Sequence, residues 1–299
     1  MSNPDQPEQG RPGQSDWLPD LTQARQAFNR AADSYDEFAI LQQEVQSRTL
    51  QRLEPILLTP KRVLDLGCGT GHGVQKLAKR FPKAQIVGGD FAEQMVRKAR
   101  GRQRWWQKRR YAVLDAHALP FADGSFDLIY SSLTLQWCMD IDRVFAECKR
   151  VLRPGGLMQF SSLGPDTLNE LRLASAEVDG SSRVNLFLDM HDVGDAMVRA
   201  GFEAPILDLE RIVTTYKTLR DLAHDLKGIG AHNVTVGRQR GMTSRQRWRQ
   251  LNEAYEQFRA DGRLPATWEV YYAHGWCPEK TPQMTSGSRE VPIQWYPQS

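Results

Sequence analysis

Residues 63–71 read Val63-Leu64-Asp65-Leu66-Gly67-Cys68-Gly69-Thr70-Gly71. A short apolar run passes there directly into a loop with glycine at every second position, and a helical pattern over 72–81 follows. Glycine tolerates positive φ and lets a ligand approach the backbone closely. The segment therefore predicts a strand, a loop and a helix, and the loop is either a simple tight turn or a binding loop.

The spacing of the glycines narrows the choice of ligand. It is G-x-G-x-G, whereas dinucleotide-binding loops have G-x-G-x-x-G. A phosphate-binding loop would also continue with Lys and Ser or Thr, and this one does not. A nucleoside triphosphate or a nicotinamide dinucleotide is therefore disfavoured.

The chain after the loop repeats this alternation of strands and helices. Such alternation is typical of a parallel sheet with right-handed crossovers and helices on both faces. The breaker sequence Arg153-Pro154-Gly155-Gly156 is expected to end the helix before it. We predict strands over 62–66, 84–90, 111–115, 126–133, 156–163, 205–216 and 267–276, and helices over 72–81, 92–104, 141–152, 166–178, 191–200, 218–228 and 243–260.

Three aspartates, Asp65, Asp90 and Asp115, stand near the ends of the first three predicted strands. The carboxyl ends of parallel strands share one edge of the sheet, where ligands bind. S-adenosylmethionine suits that edge, because it carries a sulfonium, an ammonium, a ribose diol and an adenine amine but no phosphate. We expect Asp90 to bind the ribose, Asp115 and the Ala116 backbone to bind the adenine, and Asp65 to face the methionine ammonium, directly or through water.

Four motifs resemble those of the class I, Rossmann-like methyltransferases: VLDLGCGTG, IVGGD, DAHALPFADGSFDLIYSS and VLRPGG. The resemblance runs over 61–163. It implies an α/β fold with a seven-stranded sheet whose last strand is antiparallel, a helical lead-in and lid additions, and S-adenosylmethionine as methyl donor. The predicted donor-binding residues are Asp65, Gly67, Cys68, Gly69, Gly71, Asp90, Phe91, Asp115 and Ala116.

Residues outside this core must identify the methyl acceptor, because one fold serves many substrates. Amide and adenine-amine methyltransferases carry N/D-P-P-Y/F after the fourth strand, where this chain has SSLTLQWC at 131–138. The Pro-Cys dipeptide of cytosine C5 chemistry is absent from the sequence as well. Amide or adenine-amine nitrogens and cytosine C5 are therefore disfavoured as methyl acceptors.

Three further segments resemble the malonyl-acyl-carrier-protein O-methyltransferases of biotin synthesis: FNRAADSYD at 28–36, LQWC at 135–138 and LKGIGAHN at 226–233. With FLDMHDVGDAMVRAGF at 187–202, the resemblance covers residues 25–280. It implies methyl transfer to the free carboxylate of a malonyl thioester on acyl carrier protein, giving the ester that starts biotin precursor synthesis. A methyltransferase of a quinone or another small metabolite, and an RNA-binding protein with this fold, are the alternatives.

This acceptor agrees with the absence of an evident catalytic dyad. A malonyl carboxylate is ionised near pH 7 and the sulfonium carries its own leaving group, so transfer needs no general base. Catalysis then depends on holding the reacting atoms in line in a desolvated pocket, with neutral hydrogen-bond donors near the attacking oxygen. The predicted catalytic residues are Tyr35 and Gln136, and the predicted acceptor-binding residues are Trp137, Arg183, Lys227 and Asn233. The plainer alternatives are a core aromatic for Tyr35, a solvated charge for Lys227 and a turn for Asn233.

Two basic segments, called here window 1 (97–110) and window 2 (238–249), break the charge balance of the chain. Window 1 has eight basic residues and two Trp, window 2 has five basic residues and one Trp, and neither contains an acid. The net charge is only +3, so the rest of the chain is acidic. The windows are solvated helix faces, docking sites for an acidic partner, or RNA sites. We expect acyl carrier protein to dock on window 1, with window 2 as the second candidate, and expect neither nucleic-acid nor membrane binding.

The 299 residues predict one main domain with additions. The start lacks the layout of a signal peptide and no apolar run is long enough to span a bilayer, so we expect a cytoplasmic protein. Cysteine and histidine spacings suggest neither a disulfide framework nor a bound metal. The predicted parts are a loose tail (1–16), a helical lead-in over the active site (17–60), a donor-binding core (61–163), an acceptor-side half (164–280) and a loose tail (281–299).

Overall fold

The computed structural model describes residues 20–103, 109–180, 182–230 and 244–279. The strands are β1 (Arg62–Leu66), β2 (Gln85–Asp90), β3 (Arg110–Val113), β4 (Phe126–Ser132), β5 (Leu152–Leu163), β6 (Glu203–Tyr216) and β7 (Leu264–Trp276). The α-helices are α1 (Leu21–Ala31), α2 (Tyr35–Phe38), α3 (Ile40–Gln51), α4 (His72–Arg80), α5 (Glu93–Gly101), α6 (Ile141–Val151), α7 (Asn169–Asp179), α8 (Met190–Ala200), α9 (Leu219–Gly228) and α10 (Arg245–Glu256). None of these helices combines the length and the apolar character that a membrane crossing requires.

The strands form one seven-stranded sheet in the order β3-β2-β1-β4-β5-β7-β6. The first five strands of this order run parallel, and β7 lies antiparallel to both of its neighbours. This confirms the expected α/β sheet with its antiparallel final strand. The strand order reverses between β1 and β4, and in open α/β sheets ligands bind outside the carboxyl ends of the strands at such a point.

Helices cover both faces of the parallel strands, so β1 and β4 are buried along almost their whole length. On one face, Phe145 of α6 packs with Phe160 of β5 in a cluster that also takes in α8. On the other face, Val74 and Leu77 of α4 pack against Leu128 of β4. The sheet is therefore a fixed frame whose carboxyl edge carries the loops.

β5 begins earlier than its sequence predicts. Leu152 already pairs with Phe126 of β4, and the strand runs on through Pro154, which was expected to separate helix from strand. The register shifts between Phe126 and Leu128, and Gly155 takes a φ of +71°. This irregularity accommodates the proline, which has no N–H to donate to a ladder.

The third βα unit is shorter than predicted. α5 ends at Gly101 and β3 at Val113. Asp115 thus lies beyond its strand, in an isolated bridge with Ala118. The two predicted tails, 1–16 and 281–299, lie outside the described residues. The division of the chain into parts stays a prediction.

The lead-in helices rest on the carboxyl-edge side of the core. On α3, the Thr49 hydroxyl lies 3.1 Å from Ser161 Oγ of β5. The Tyr130 hydroxyl of β4 donates to the Gln46 carbonyl at 3.0 Å. These buried contacts hold α3 against β4 and β5, so that α1 and α2 can lie near the glycine loop.

Candidate active site

Asp90 anchors the glycine loop at the carboxyl edge of the sheet. Its two carboxylate oxygens accept hydrogen bonds from the backbone N–H of Gly69 at 2.8 Å and of Ala92 at 2.9 Å. Asp90 is 6% exposed, and burial raises its pKa to about 6 although these hydrogen bonds oppose the rise. A cationic or hydroxyl-bearing ligand would satisfy a carboxylate in this setting.

Two loop glycines are needed for space as well as for backbone angle. A Cβ on Gly67 would stand 1.9 Å from Thr134 Oγ1, and one on Gly71 would stand 2.9 Å from the Cβ of Ala99. Both glycines have positive φ, at +78° and +90°. The absence of a Cβ at Gly67 therefore lets the loop lie close to Thr134, which follows β4. The absence of a Cβ at Gly71 lets α5 lie close to the start of α4.

A cavity of about 370 Å³, called here the loop cavity, opens beside this loop. The acidic residues Asp90 and Asp115 line it. Five predicted donor-binding residues line it: Gly67, Asp90, Phe91, Asp115 and Ala116. The amino-terminal part of α1 adds Leu21, Thr22 and Arg25, which the sequence did not predict because helical periodicity does not say which edge of the sheet a helix covers.

Asp115 is oriented by the histidine two residues later. Its Oδ1 lies 2.9 Å from the His117 backbone N–H, which donates to it, and 2.7 Å from the ring nitrogen Nδ1. Burial alone would raise the pKa of Asp115, but these contacts with His117 hold it below its ordinary value. Asp115 therefore presents an ionised carboxylate to the loop cavity.

Asp65 lies beneath the loop and does not line the loop cavity. It is 2% exposed, and its Oδ2 has no hydrogen-bond partner among the described residues. Burial, with the nearby charge of Asp90, raises the pKa of Asp65 to about 8. A Cβ on Gly73 of α4 would stand 2.4 Å from this oxygen, so the glycine there gives the carboxyl its room.

The remaining predicted loop residues act through the backbone or through packing. Cys68 is buried in the apolar cluster around α4, and its N–H donates to the Gly89 carbonyl at 2.9 Å. A Cβ on Gly69 would meet no atom within 4 Å. Cys68, Gly69 and Gly71 do not line the loop cavity. The donor-binding roles of all nine predicted residues, including the five that line it, stay predictions.

A second cavity of about 260 Å³, called here the lid cavity, lies under the lead-in helices. Five predicted acceptor-side residues from separate parts of the chain line it: Tyr35, Gln136, Trp137, Arg183 and Lys227. Among the described residues, Trp137 alone lines both cavities. The two cavities therefore meet at this indole.

The rest of the lid cavity is largely apolar. α7, α9, α10 and β7 contribute to its wall together with residues within 163–168 and 184–187, and the lead-in supplies Phe28 and Gln42. Phe28 begins the FNRAADSYD motif, which is the signal that could have identified it as a wall residue. The apolar residues from the four later elements are Leu171, Leu219, Leu222, Ala223, Leu226, Trp248, Leu251 and Trp268.

Tyr35 and Gln136 can both act as neutral donors toward this cavity. The Gln136 amide donates to the Leu133 carbonyl at 2.8 Å and accepts from the Ser162 hydroxyl at 3.3 Å, which leaves its second N–H for a ligand. Burial and the charge of Asp90 raise the pKa of Tyr35, so its hydroxyl keeps its proton.

The two predicted cations differ in their surroundings. Arg183 pairs with Asp179 at 3.0 Å, and its Nε is buried without a partner among the described residues. Lys227 is exposed in the last turn of α9. Asn233 lies outside the described residues, and its role stays a prediction.

Window 1 is only partly a free basic surface. Lys98 and Arg102 contact the lead-in and Arg100 contacts the backbone of β3, whereas Arg97 and Arg110 are exposed. Its residues 104–108 lie outside the described part of the chain.

Window 2 reaches the lid cavity. Its residues from 244 onward form the start of α10, while 238–243 lie outside the described residues. Trp248 lines the lid cavity, and Arg245 and Arg249 beside it are exposed. Among the described residues of the two windows, only Trp248 of window 2 lines the lid cavity or the loop cavity.

The chain is similar to known methyltransferases in sequence and in fold. The family model of a methyltransferase domain matches residues 64–160. Malonyl-acyl-carrier-protein O-methyltransferase of Gallionella capsiferriformans is 48% identical over 270 residues, which cover 88% of this chain and 93% of that protein. The YcgJ protein of Bacillus subtilis matches with a TM-score of 0.57 at 18% identity, over 80% of this chain and 100% of its own. Phosphoethanolamine N-methyltransferase 2 of Haemonchus contortus, solved with S-adenosyl-L-methionine, matches with a TM-score of 0.53 at 20% identity, over 84% of this chain and 57% of its own.

Proposed function

Because the chain belongs to the family of malonyl-acyl-carrier-protein O-methyltransferases, we propose that it transfers the methyl group of S-adenosylmethionine to the free carboxylate of a malonyl thioester on acyl carrier protein. The observation that carries this proposal is the meeting of two unlike cavities at Trp137. One has an acidic wall and the other is apolar with neutral donors. The product is a methyl ester, which the resemblance above connects with biotin precursor synthesis, and we propose that the reaction takes place in the cytoplasm.

The loop cavity fits the donor by its charge and by its polar groups. S-adenosylmethionine supplies an electrophilic methyl group on a cationic sulfonium. Asp90 and Asp115 offer carboxylate oxygens to hydroxyl and amine groups, and no phosphate-binding cation pattern accompanies the glycine loop. The unpartnered Oδ2 of Asp65 beneath the loop adds a further acceptor for positive charge or for a bridging water.

The lid cavity fits an acceptor that needs orientation rather than deprotonation. A carboxylate attacks with an oxygen lone pair, so hydrogen bonds must hold it without occupying that lone pair. Tyr35 and the free N–H of Gln136 can hold one carboxylate oxygen and leave the other to attack. The apolar walls exclude water, which makes the oxygen less solvated and more reactive.

A cation in the same cavity would select for a charged acceptor. Arg183 is already paired with Asp179, so it keeps directed N–H groups while its net charge is compensated. Lys227 lies at the exposed end of α9 and has no ion pair among the described residues. We assign Arg183 to orienting the acceptor inside the cavity and Lys227 to attracting it from solvent.

Carrier-protein docking is assigned to the exposed arginines of both windows, with window 2 placed closest to the acceptor. Arg245 and Arg249 are close in sequence to Trp248, which lines the lid cavity. In window 1, by contrast, Lys98 and Arg102 bind lead-in residues. Reversal of Arg245 and Arg249 to Glu should raise KM for malonyl-carrier protein and leave KM for malonyl-CoA unchanged. Reversal of Arg97 and Arg110 is the matched comparison, and equal KM changes for both substrates would refute docking at the reversed pair.

One assay tests the reaction itself. The protein is incubated with methyl-labelled donor and, in parallel, with malonyl-carrier protein, malonyl-CoA, a quinone precursor or RNA. We expect base-labile label on the malonyl group of the thioester substrates. Label confined to the quinone precursor or to RNA would overturn the proposal, and Tyr35→Phe, which should lower turnover without weakening the donor, controls for a contaminating activity.

A further inference from the structure

Asp36 joins the lead-in to three different parts of the core. Its Oδ1 accepts a hydrogen bond from the Thr70 hydroxyl of the glycine loop at 2.6 Å. Its Oδ2 accepts from the Arg102 guanidinium, just after α5, and His72 Nε2 at the start of α4 lies 3.3 Å from Oδ1. A single carboxylate on the four-residue helix α2 therefore contacts the loop and both helices that flank it.

The residues next to this contact line the two cavities or hold them. Asp36 directly follows Tyr35, which lines the lid cavity. Thr70 directly follows Gly69, whose N–H donates to the Asp90 carboxylate at 2.8 Å. Two hydrogen bonds and two peptide units thus connect Tyr35, on the acceptor side, with Asp90, on the donor side.

The surroundings of the cluster make its hydrogen bonds specific. Thr70 is 2% exposed, and Asp36 and Arg102 have side-chain exposures of 23% and 26%, so solvent competes weakly for these groups. Burial, with the charge of Lys76, lowers the pKa of His72, which leaves Arg102 as the main positive partner of Asp36. A buried acceptor that lost its donors here would be left unsatisfied.

We propose that Asp36 is a positioning residue that couples the placement of Tyr35 over the acceptor to the state of the glycine loop. This inference rests on the proposed function, because it concerns the same methyl transfer. A donor bound against Asp90 and the loop fixes Thr70, Thr70 fixes Asp36, and Asp36 sets the start of α2 and therefore the direction of the Tyr35 side chain.

Other contacts anchor the lead-in without touching this path. Thr49 on α3 is buried, and its hydroxyl donates to the Val45 carbonyl at 2.7 Å and lies 3.1 Å from Ser161 Oγ. None of these three residues lines either cavity. Thr49→Val therefore removes a buried hydroxyl that contacts the core from the lead-in, whereas Thr70→Val removes the buried loop hydroxyl that contacts Asp36.

The test compares these two isosteric changes in the full chain. Thr70→Val should lower kcat with malonyl-carrier protein about ten- to a hundredfold, since small misplacements of reacting groups are that costly, while KM for this substrate changes little. Thr70→Ser should restore most of the rate. In the Thr70→Val background, Tyr35→Phe should add almost nothing, because the hydroxyl is already misplaced. Asp36→Asn, which weakens the pairing with Arg102 on a partly exposed side chain, gives a second route should Thr70→Val fold poorly.

Three kinetic results would overturn the proposal. The first is an equal loss of kcat in Thr49→Val and Thr70→Val. The second is a double variant whose loss of kcat is the product of the losses in Thr70→Val and Tyr35→Phe. The third is wild-type kcat in Tyr35→Phe, because Asp36 would then have no catalytic hydroxyl to position.

A readout without acceptor separates this inference from the proposed function. S-adenosylhomocysteine should slow amide hydrogen exchange over 21–51 in the wild type and in Thr49→Val, but not in Thr70→Val. Protection that is kept in Thr70→Val would overturn the coupling even if the enzyme methylates malonyl-carrier protein. A wild type that binds donor product with this protection pattern but labels no malonyl thioester would refute the proposed function alone.

Discussion

The ring of Phe28 meets the indole of Trp137 edge to face, with centroids 5.2 Å apart and planes at 90°. Phe28 lines the lid cavity, and Trp137 lines both cavities. Phe28 also contacts Phe91, which stands in the loop cavity, with centroids 5.7 Å apart. Three aromatic residues from the lead-in and from the loops after β2 and β4 therefore line the junction between the proposed donor cavity and the proposed acceptor cavity.

Trp137→Leu should disrupt this junction. We expect a fall in kcat/KM of about ten- to a hundredfold with malonyl-carrier protein, because the indole no longer helps to hold the methyl group and the carboxylate in line. Trp276→Leu is the matched control, since Trp276 at the end of β7 packs with the α4 cluster and lines neither cavity. Steady-state kinetics on both variants checks the prediction, and equal losses would assign the effect to stability.

Asp90→Asn should weaken the donor selectively. The new amide must place an N–H opposite one of the backbone donors, Gly69 or Ala92, and it removes the charge that favours a cation. Hydrogen bonds to charged groups contribute about 1.5–3 kcal/mol, so donor Kd should rise about ten- to a hundredfold. Titration calorimetry with S-adenosylmethionine measures this. Asp115→Asn, on an exposed carboxylate, should change Kd less, and the reverse order of the two effects would contradict the assignment.

The sequence predicted the sheet and much of the loop cavity because local signals determine both. The strand patterns and the glycine loop place Asp90 at a strand end, and strand order then brings Phe91 and Ala116 to the same edge. Deviations arise where long-range pairing overrides local pattern. Leu152 joins β5 ahead of Pro154 because Phe126 is available as its partner on β4.

The lid cavity could be predicted only as a set of unconnected residues. Tyr35, Gln136 and Arg183 are far apart in sequence, and no periodicity says that three helices will meet around them. The contact between Asp36 and Thr70 was not predicted for the same reason, since it depends on how α2 turns over the loop. The way these helices dock depends on tertiary contacts, so the lead-in motif could indicate only which segment lies over the site.

Asp127 should matter for stability and not for the reaction. Its Oδ2 accepts hydrogen bonds from the backbone N–H of Lys61 and of Arg62, both at 2.7 Å, and the carboxylate pairs with Arg153. Asp127→Ala leaves these donors unmet at the amino end of β1, so the free energy of unfolding should fall by about 1–3 kcal/mol with kcat unchanged.

Urea unfolding and kinetics at low temperature together check the Asp127 prediction. Asp123→Ala is its control, because Asp123 is exposed and contributes one ion pair to Arg150, which should be worth less than about 1 kcal/mol. A large loss of kcat in folded Asp127→Ala protein would show that this end of β1 influences the site.

Asp65 should make the stability of the donor-free protein depend on pH. Its pKa of about 8 in the folded protein lies above its ordinary value of 3.8, so the folded chain holds this proton more tightly than the unfolded chain does. The resulting stabilisation is complete below about pH 4 and is lost as the pH rises through 8. Relative to Asp65→Asn, which carries no titrating group there, the wild type should lose on the order of 4 kcal/mol of unfolding free energy between pH 5 and 8.5, since one pH unit between the two pKa values corresponds to about 1.4 kcal/mol. Urea midpoints measured across this range check the sign, and a constant difference between the two proteins would contradict it.

Donor binding should reverse that dependence, since a positively charged ligand favours ionised Asp65 and ionised Asp90. Wild-type Kd for S-adenosylmethionine should therefore tighten as the pH rises from 5.5 to 8.5, with proton release that calorimetry in buffers of different ionisation enthalpy can count. The pKa of about 6 for Asp90 assigns the lower part of this range to Asp90, and the pKa of about 8 for Asp65 assigns the upper part to Asp65. Asp65→Asn should abolish only the upper part. If the variant keeps the full pH dependence of the wild type, the carboxyl beneath the loop does not take part in holding the donor.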